Sequence, residues 1–298
     1  MRKVQRYGWK KDSLDHRDRI MPPPSSAVVL PSWVNLMPKC PPVYDQGQLG
    51  SCTANAIGAA FEFELMRQGL TDFTPSRLFI YYNEREMEGD VNQDNGAEIR
   101  DGMKSIATLG VCSESIWPYI ESEFSRKPTD VCYLDALENV AIEYRTLEQD
   151  PNHLKACLAD GFPFVMGINV FKEFESQEVA QSGVVPMPGP KDPPIGGHAV
   201  MVVGYDDASQ SFFVRNSWGS SWGAGGYFRL PYDYVLDSGL ASDLWTIRTV
   251  QEDKTDSGPV PSAPEKKDAS LPENPPSEAS QGFVKVVNNG VESIVRLD

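Results

Sequence analysis

The run Tyr44-Asp45-Gln46-Gly47-Gln48-Leu49-Gly50-Ser51-Cys52-Thr53-Ala54 decides how this chain is read. Two glycines punctuate a turn. From Ser51 to Gly69 the apolar residues Ala54, Ile57, Phe61 and Leu65 then recur at helical spacing, with Gly69 as the stop. The pattern predicts a helix with Cys52 in its first turn. There, unbonded backbone N–H groups and the helix dipole favour a thiolate, the form in which a thiol is a nucleophile. A lone cysteine at a helix start is more often a small packed residue. The residues around and after it give this one more weight.

Far downstream stand Gly196-Gly197-His198-Ala199-Val200 and then Arg215-Asn216-Ser217-Trp218-Gly219. His198 opens an apolar run, and its two preceding glycines leave room around the ring. It is one of three histidines, and neither His16 in a charged leader nor His153 at a polar helix start has a comparable setting. A histidine beside a thiol takes its proton and later returns one to a leaving amine. Asn216 would accept the other ring N–H and fix the tautomer, and Trp218 would shield that bond from water. Gln46 would supply a side-chain donor to a developing oxyanion, with the Cys52 backbone N–H as the second. A histidine brought alongside adds to the dipole, so the expected resting state is a Cys52 thiolate–His198 imidazolium pair.

Texture divides the 298 residues into three zones. Residues 1–30 form a charged and then proline-rich leader, 31–250 hold every motif named above, and 251–298 form a Pro/Ser/Glu-rich tail expected to be disordered. At its end, Phe283 to Val295 reads as two short strands around Asn289-Gly290. In the central zone, helical patterns over 51–69, 75–88, 97–109 and 151–159 precede β-rich runs at 164–170, 198–205, 211–215 and 226–230. Helices first and strands second imply an α+β fold of two lobes with a cleft between them. Cys52 falls in the helical lobe and His198 and Asn216 in the other.

At these residues the sequence resembles the papain family of cysteine peptidases. Leu30-Pro31-Ser32-Trp33-Val34-Asn35-Leu36 looks like the family's mature start. Pro42-Val43-Tyr44-Asp45-Gln46-Gly47 leads into the nucleophile, and His198 to Tyr205 and Asn216-Ser217-Trp218-Gly219 complete the match. The resemblance implies a papain-like fold, with a mostly helical N-terminal lobe and an antiparallel β C-terminal lobe. It also implies peptidase activity carried by Cys52, His198, Asn216 and Gln46. Asn95-Gly96, followed by a helix, is similar to the family's segment that pairs with substrate backbone. Gly197 and Trp218 join them as residues expected against the substrate. The chain departs from the family where Leu49 replaces a usual cysteine and Thr53 a usual aromatic, and its leader is short. These departures fit bacterial members of the family.

A net charge of −15 argues against nucleic acid or anionic membrane as partners, and no apolar run reaches the length of a membrane span. The partners expected are peptide or protein substrates and the chain's own leader. No metal or other cofactor is expected. With no signal peptide in view, the default compartment is the cytoplasm, and the five cysteines are read as thiols more readily than as disulfides. Prolines stiffen the leader, so residues 1–30 are expected to lie in the cleft as a built-in inhibitor or, failing that, to strap the domain elsewhere. Two other functions remain open at this level: a different acyl transfer on the same triad, such as deamidation, transglutamination or ligation, and a non-catalytic peptide-binding module.

Overall fold

The Cys52 helix organises the molecule because almost nothing on it faces water. In the computed structural model it runs over Cys52–Gln68, and every residue from Cys52 to Leu65 is buried. A helix mostly apolar or small around its circumference belongs in an interior, and its buried Asn55, Glu62 and Glu64 are each hydrogen-bonded. It ends where Gly69 takes φ +68°, and its N–H closes on the carbonyls of Leu65 and Met66. The structure describes residues 7–24, 29–250, 282–288 and 291–297. Two compact units arise, Met1–Gln251 and Glu252–Asp298.

In the first unit the strands, in chain order, are β1 (Trp9–Lys10), β2 (Trp33–Asn35), β3 (Ala97–Glu98), β4 (Glu143–Thr146), β5 (Phe164–Val170), β6 (Gly196–Asp206), β7 (Ser211–Arg215), β8 (Tyr227–Pro231) and β9 (Ala241–Thr249). The helices are α1 (Cys52–Gln68), α2 (Arg77–Met87), α3 (Ile99–Thr108), α4 (Asp130–Ala136), α5 (Pro151–Ala159), α6 (Gln177–Ser182) and α7 (Tyr232–Leu236). Helices α1 to α3 pack on one another as the first lobe. The second is an antiparallel sheet in the order β4-β9-β5-β6-β7-β8, with β2 paired to the far end of β6. Helix α1 spans the junction, touching α2 and α3 on one side and β5, β6 and β9 on the other. The fold is α+β, as the residue pattern implied. Among the described residues no helix is long and apolar enough to cross a membrane.

Local chemistry accounts for the element ends. The Ser76 hydroxyl accepts the Phe79 N–H at the start of α2, and Asp150 accepts from Asn152 and His153 at the start of α5, where Pro151 takes the first position. Strand β5 is buried along nearly its whole length, since helices and β9 cover it. The four expected helices and four expected strands are present with ends shifted by at most two residues. Strands β2, β4 and β9 were not visible in the pattern. Glu143-Tyr144-Arg145-Thr146 is too polar to stand out, and Ala241–Thr249 interrupts its apolar residues with Ser242 and Asp243, the latter at φ +58°.

The leader does not stand apart from this unit. Met21 is buried at 7 % exposure and its N–H donates to the Thr146 carbonyl, while Asp18 pairs with Arg100 at 2.7 Å. Part of it is therefore the strap considered above, and residues 7–10 go elsewhere. In the second unit Gly282–Asn288 and Val291–Leu297 pair antiparallel, with Val284 opposite Val295. The expectation of disorder over 251–281 lies outside the described residues.

Two glycines separate conformational cost from steric cost. A methyl group at Gly69 meets nothing within 4 Å, so Gly69→Ala should cost only the left-handed strain, about 1–2 kcal/mol. At Gly204 the added carbon would lie 2.3 Å from the Val34 carbonyl oxygen, which β2 cannot yield without leaving β6. Thermal unfolding should show a shift of a few degrees for Gly69→Ala and a distinctly larger one for Gly204→Ala.

Candidate active site

Two loops from the two lobes are zipped together beside Cys52. The Gln46 N–H donates to the Ser217 carbonyl and the Gly219 N–H to the Tyr44 carbonyl, both at 2.9 Å, with Asp45 bridged to Trp218. Gln46 is fully buried between them. Its Oε1 accepts the Ser217 hydroxyl at 2.7 Å, and Nε2 donates to the Leu49 carbonyl at 2.8 Å. An amide nitrogen carries two hydrogens, so one remains for another acceptor. From outside, the Tyr119 hydroxyl donates to the Gln46 carbonyl (2.8 Å) and shares a bond with Ser51 Oγ (2.6 Å). Arg77 backs the arrangement: it grips Glu114 bidentately, reaches the Asp45 carbonyl and Asn55, and stacks on the Tyr119 ring at 3.9 Å.

Cys52 begins α1, and the Ser51 hydroxyl is held by Tyr119 and Asn55 rather than capping the helix. The sulfur accepts the Ala199 N–H at 3.3 Å, which brings the start of β6 onto the nucleophile. His198, next on that strand, is buried. Its Nε2 lies 2.8 Å from Asn216 Oδ1, and the same oxygen accepts the Ser217 N–H at 2.8 Å. That second bond settles the orientation of the Asn216 amide. Nε2 must then be the N–H, and Nδ1 is left as the basic nitrogen, without a hydrogen-bond partner. Trp218 stacks on the imidazole at 5.1 Å and 29°, backed by Phe174 and Trp222. The aromatic wall covers the His198–Asn216 bond.

This arrangement can perform acyl transfer through sulfur: a thiol, a tautomer-locked imidazole and a buried side-chain donor meet at one point. A family model described as papain family cysteine protease matches residues 32–246. The chain belongs to the papain family of cysteine proteases. It is 45 % identical to xylellain, a cysteine protease from Xylella fastidiosa, whose structure superposes with a TM-score of 0.79 over 84 % of this chain and 99 % of that one. An uncharacterised peptidase C1-like protein of Acanthamoeba polyphaga mimivirus is 46 % identical over 70 % of each chain. Cathepsin K of Gallus gallus is 28 % identical over 75 % of this chain and 68 % of its own length.

The cleft of this papain-family chain is occupied by its own residues. Strand β1 lies parallel to β3, with Trp9 opposite Ala97, and the Gly8 carbonyl accepts the Ala97 N–H at 2.8 Å. Gly8 packs against the Gly50 backbone two residues before Cys52, near enough for its N–H to favour the thiolate. Tyr7 packs against His198 and Trp218 at 6.0 and 6.3 Å, and its hydroxyl donates to Glu175 at 2.7 Å. Trp9 lies on the bare backbone of Gly167 and Gly197, where any β-carbon would meet its ring within 3 Å, and its indole N–H donates to Asp243 at 3.0 Å. Of the residues expected against substrate, Gly96, Gly197 and Trp218 line this channel. Asn95 does not: it is exposed and its side chain turns to Asp90.

Burial under the leader alters the expected electrostatics. It pushes the Cys52 thiol up to about 12, against the lowering by the Ala199 and Gly8 N–H groups, and pushes His198 down to about 4. Both shifts favour the neutral thiol and the neutral imidazole while the cleft is covered, opposite in direction to the helix dipole. Behind the nucleophile, Thr53 donates to the buried Glu84 at 2.5 Å, in the place where the family's usual aromatic is missing, and burial raises Glu84 as well. All five cysteines are free thiols. Tyr119, Glu84, the role of Ser217 and, within the leader expected in the cleft, the individual residues Tyr7, Gly8 and Trp9 are not singled out by the sequence, and only Ser217, inside Asn-Ser-Trp-Gly, carries a local signal.

Since Ser217 holds the Gln46 amide, Ser217→Ala should lower kcat about tenfold by loosening one donor, while Gln46→Ala should lower it by about two orders of magnitude. Unchanged near-unity ratios for both, in initial-rate kinetics on a peptide amide, would remove Gln46 from the reaction.

Proposed function

We propose that this cysteine protease hydrolyses peptide bonds through Cys52, His198, Asn216 and Gln46 and is held inactive by its own leader. In the open cleft the Cys52 thiolate attacks the substrate carbonyl carbon, its proton having passed to His198 Nδ1. The Asn216 oxygen keeps the ring aligned and favours the imidazolium through Nε2–H. Charge developing on the carbonyl oxygen is received by Gln46 Nε2 and the Cys52 backbone N–H. His198 returns the proton to the leaving amine, which departs as the C–N bond breaks and a thioester remains. Water, deprotonated by the same imidazole, then releases the acid and restores the thiol.

One observation carries the inhibitory half of this reading. The Gly8 carbonyl takes up the Ala97 N–H on the cleft wall, and Gly8 packs against the Gly50 backbone beside Cys52. With the Ala97 N–H taken and Tyr7 packed on His198 and Trp218, a substrate backbone cannot settle over Cys52 while the leader is docked. Glycine is required there because a β-carbon at position 8 would fall 1.6 Å from the Gly50 carbonyl oxygen. The expected cytoplasmic location also stands as a proposal, one that five free thiols support.

Hydrolysis of a fluorogenic dipeptide amide by full-length protein tests both halves. Cys52→Ala should abolish turnover. Gly8→Val, which cannot pack against Gly50, should raise it by about tenfold or more without removing the strap around Met21. Equal rates for wild type and Gly8→Val would refute inhibition by the leader. Retained turnover in Cys52→Ala would refute the nucleophile.

A further inference from the structure

Two backbone points wall the cleft where Gly8 is seated, and one carboxylate ties them together. Gly50 meets Gly8 from the nucleophile loop, two residues before Cys52, and Gly96 meets it from the segment that enters β3. The Gly50 N–H donates to both Asp94 oxygens, at 3.0 and 3.1 Å. From α2 the Tyr81 hydroxyl donates to Asp94 Oδ1 at 2.5 Å, and its oxygen accepts the Gly96 N–H at 3.3 Å. A continuous chain of hydrogen bonds, Gly50 to Asp94 to Tyr81 to Gly96, therefore joins one wall to the other. Its middle members are themselves fixed. Arg85 is fully buried and stacks on the Tyr81 ring at 3.9 Å. The same guanidinium donates to the Val91 and Gln93 carbonyls at 2.7 and 3.0 Å, which pins the loop leading to Asp94 onto α2.

Resting on the reading of this cleft as proteolytic, we propose that Asp94 is a positioning residue for the reaction, setting the distance between the nucleophile and the backbone on which a substrate is strung. The docked leader shows what that backbone offers, since the Ala97 N–H takes the carbonyl of an extended strand at 2.8 Å. A substrate that replaces the leader pairs with the same N–H, and the pairing fixes where its scissile carbonyl falls. Cys52 follows Gly50 by two residues, at the start of a helix too buried to shift alone. The separation of Gly50 from Gly96 therefore decides whether pairing and attack are met at once. A misplacement of about 1 Å between reacting groups costs on the order of a hundredfold in rate. Asp94 acts through these two backbone groups rather than on the reacting atoms. It stands one residue before the Asn95 expected to serve this segment.

The test uses full-length Gly8→Val protein, whose cleft is open on the inhibitory reading, with Asp94→Ala, Asp94→Asn and Tyr81→Phe added singly. Two rates are compared. One is kcat/KM for a peptide amide, which needs the pairing; the other is alkylation of Cys52 by iodoacetamide, which needs only the ionised thiol. Asp94→Ala is expected to lower kcat/KM about thirtyfold or more while alkylation stays within about twofold of the parent. Asp94→Asn keeps an oxygen for the Gly50 N–H and a nitrogen that donates to the Tyr81 oxygen, so it should restore the rate to within about threefold. Tyr81→Phe removes one hydroxyl and should fall between the two; with Asp94→Asn it decides the matter if Asp94→Ala does not fold. Turnover unchanged in Asp94→Ala and Tyr81→Phe overturns the proposal. Alkylation falling in step with turnover also overturns it, because the site as a whole is then lost. Asp94→Asn as slow as Asp94→Ala overturns it by assigning the effect to charge. A Gly8→Val parent that is alkylated quickly yet cuts no peptide refutes the proteolytic reading itself, and this proposal with it.

Discussion

The Ala199 N–H bond to the Cys52 sulfur, 3.3 Å long, is the contact on which the rest of the arrangement turns. It joins the start of α1 to the start of β6, so the two lobes meet at the reacting atom. A buried helix cannot shift alone, and α1 is packed on both sides. Strand β6 is held by β5 and β7 along its length. The position of His198 relative to Cys52 is thus set by two rigid elements, while the loops bearing Gln46 and Asn216 are zipped to each other. Catalytic geometry here is a by-product of how the lobes close.

The same closeness lets the chain's own leader cover the nucleophile. A cleft narrow enough to seat an extended backbone on Gly96 and Gly197 admits the chain's own leader, which needs no side chain at Gly8 and gains anchors at Tyr7 and Trp9. Covering the site also changes its charge state. Burial raises the thiol and lowers the imidazole, so occupancy and electrostatics act in the same direction. Opening the cleft restores solvent to both groups and with it the ionised pair that acyl transfer requires.

The parts of the site legible in the sequence were those with short-range chemical grammar. Cys52 at a helix start, His198 after two glycines, and Asn216 before Ser-Trp-Gly each carried their setting within a few residues. The order of helices and strands gave the two lobes for the same reason, since periodicity is local. What escaped depends on distant partners. Nothing near Gly8 announces that its missing β-carbon is needed against Gly50, and nothing near Thr53 announces Glu84. Asn95 was misjudged because a cleft segment's backbone and side chain point to different neighbours, and only Gly96 faces the channel. The leader in the cleft was expected, but its bearing on the charge of Cys52 and His198 was not, because the dipole is local and the depth of burial is not.

The most direct measurement of this account is the rate at which iodoacetamide labels Cys52 at pH 5, followed by mass spectrometry in wild type and Gly8→Val. The account predicts labelling at least tenfold faster in Gly8→Val, because only there is the sulfur both reachable and ionised beside His198. Equal rates in the two proteins would contradict it, since the leader would then neither cover the thiol nor govern its charge.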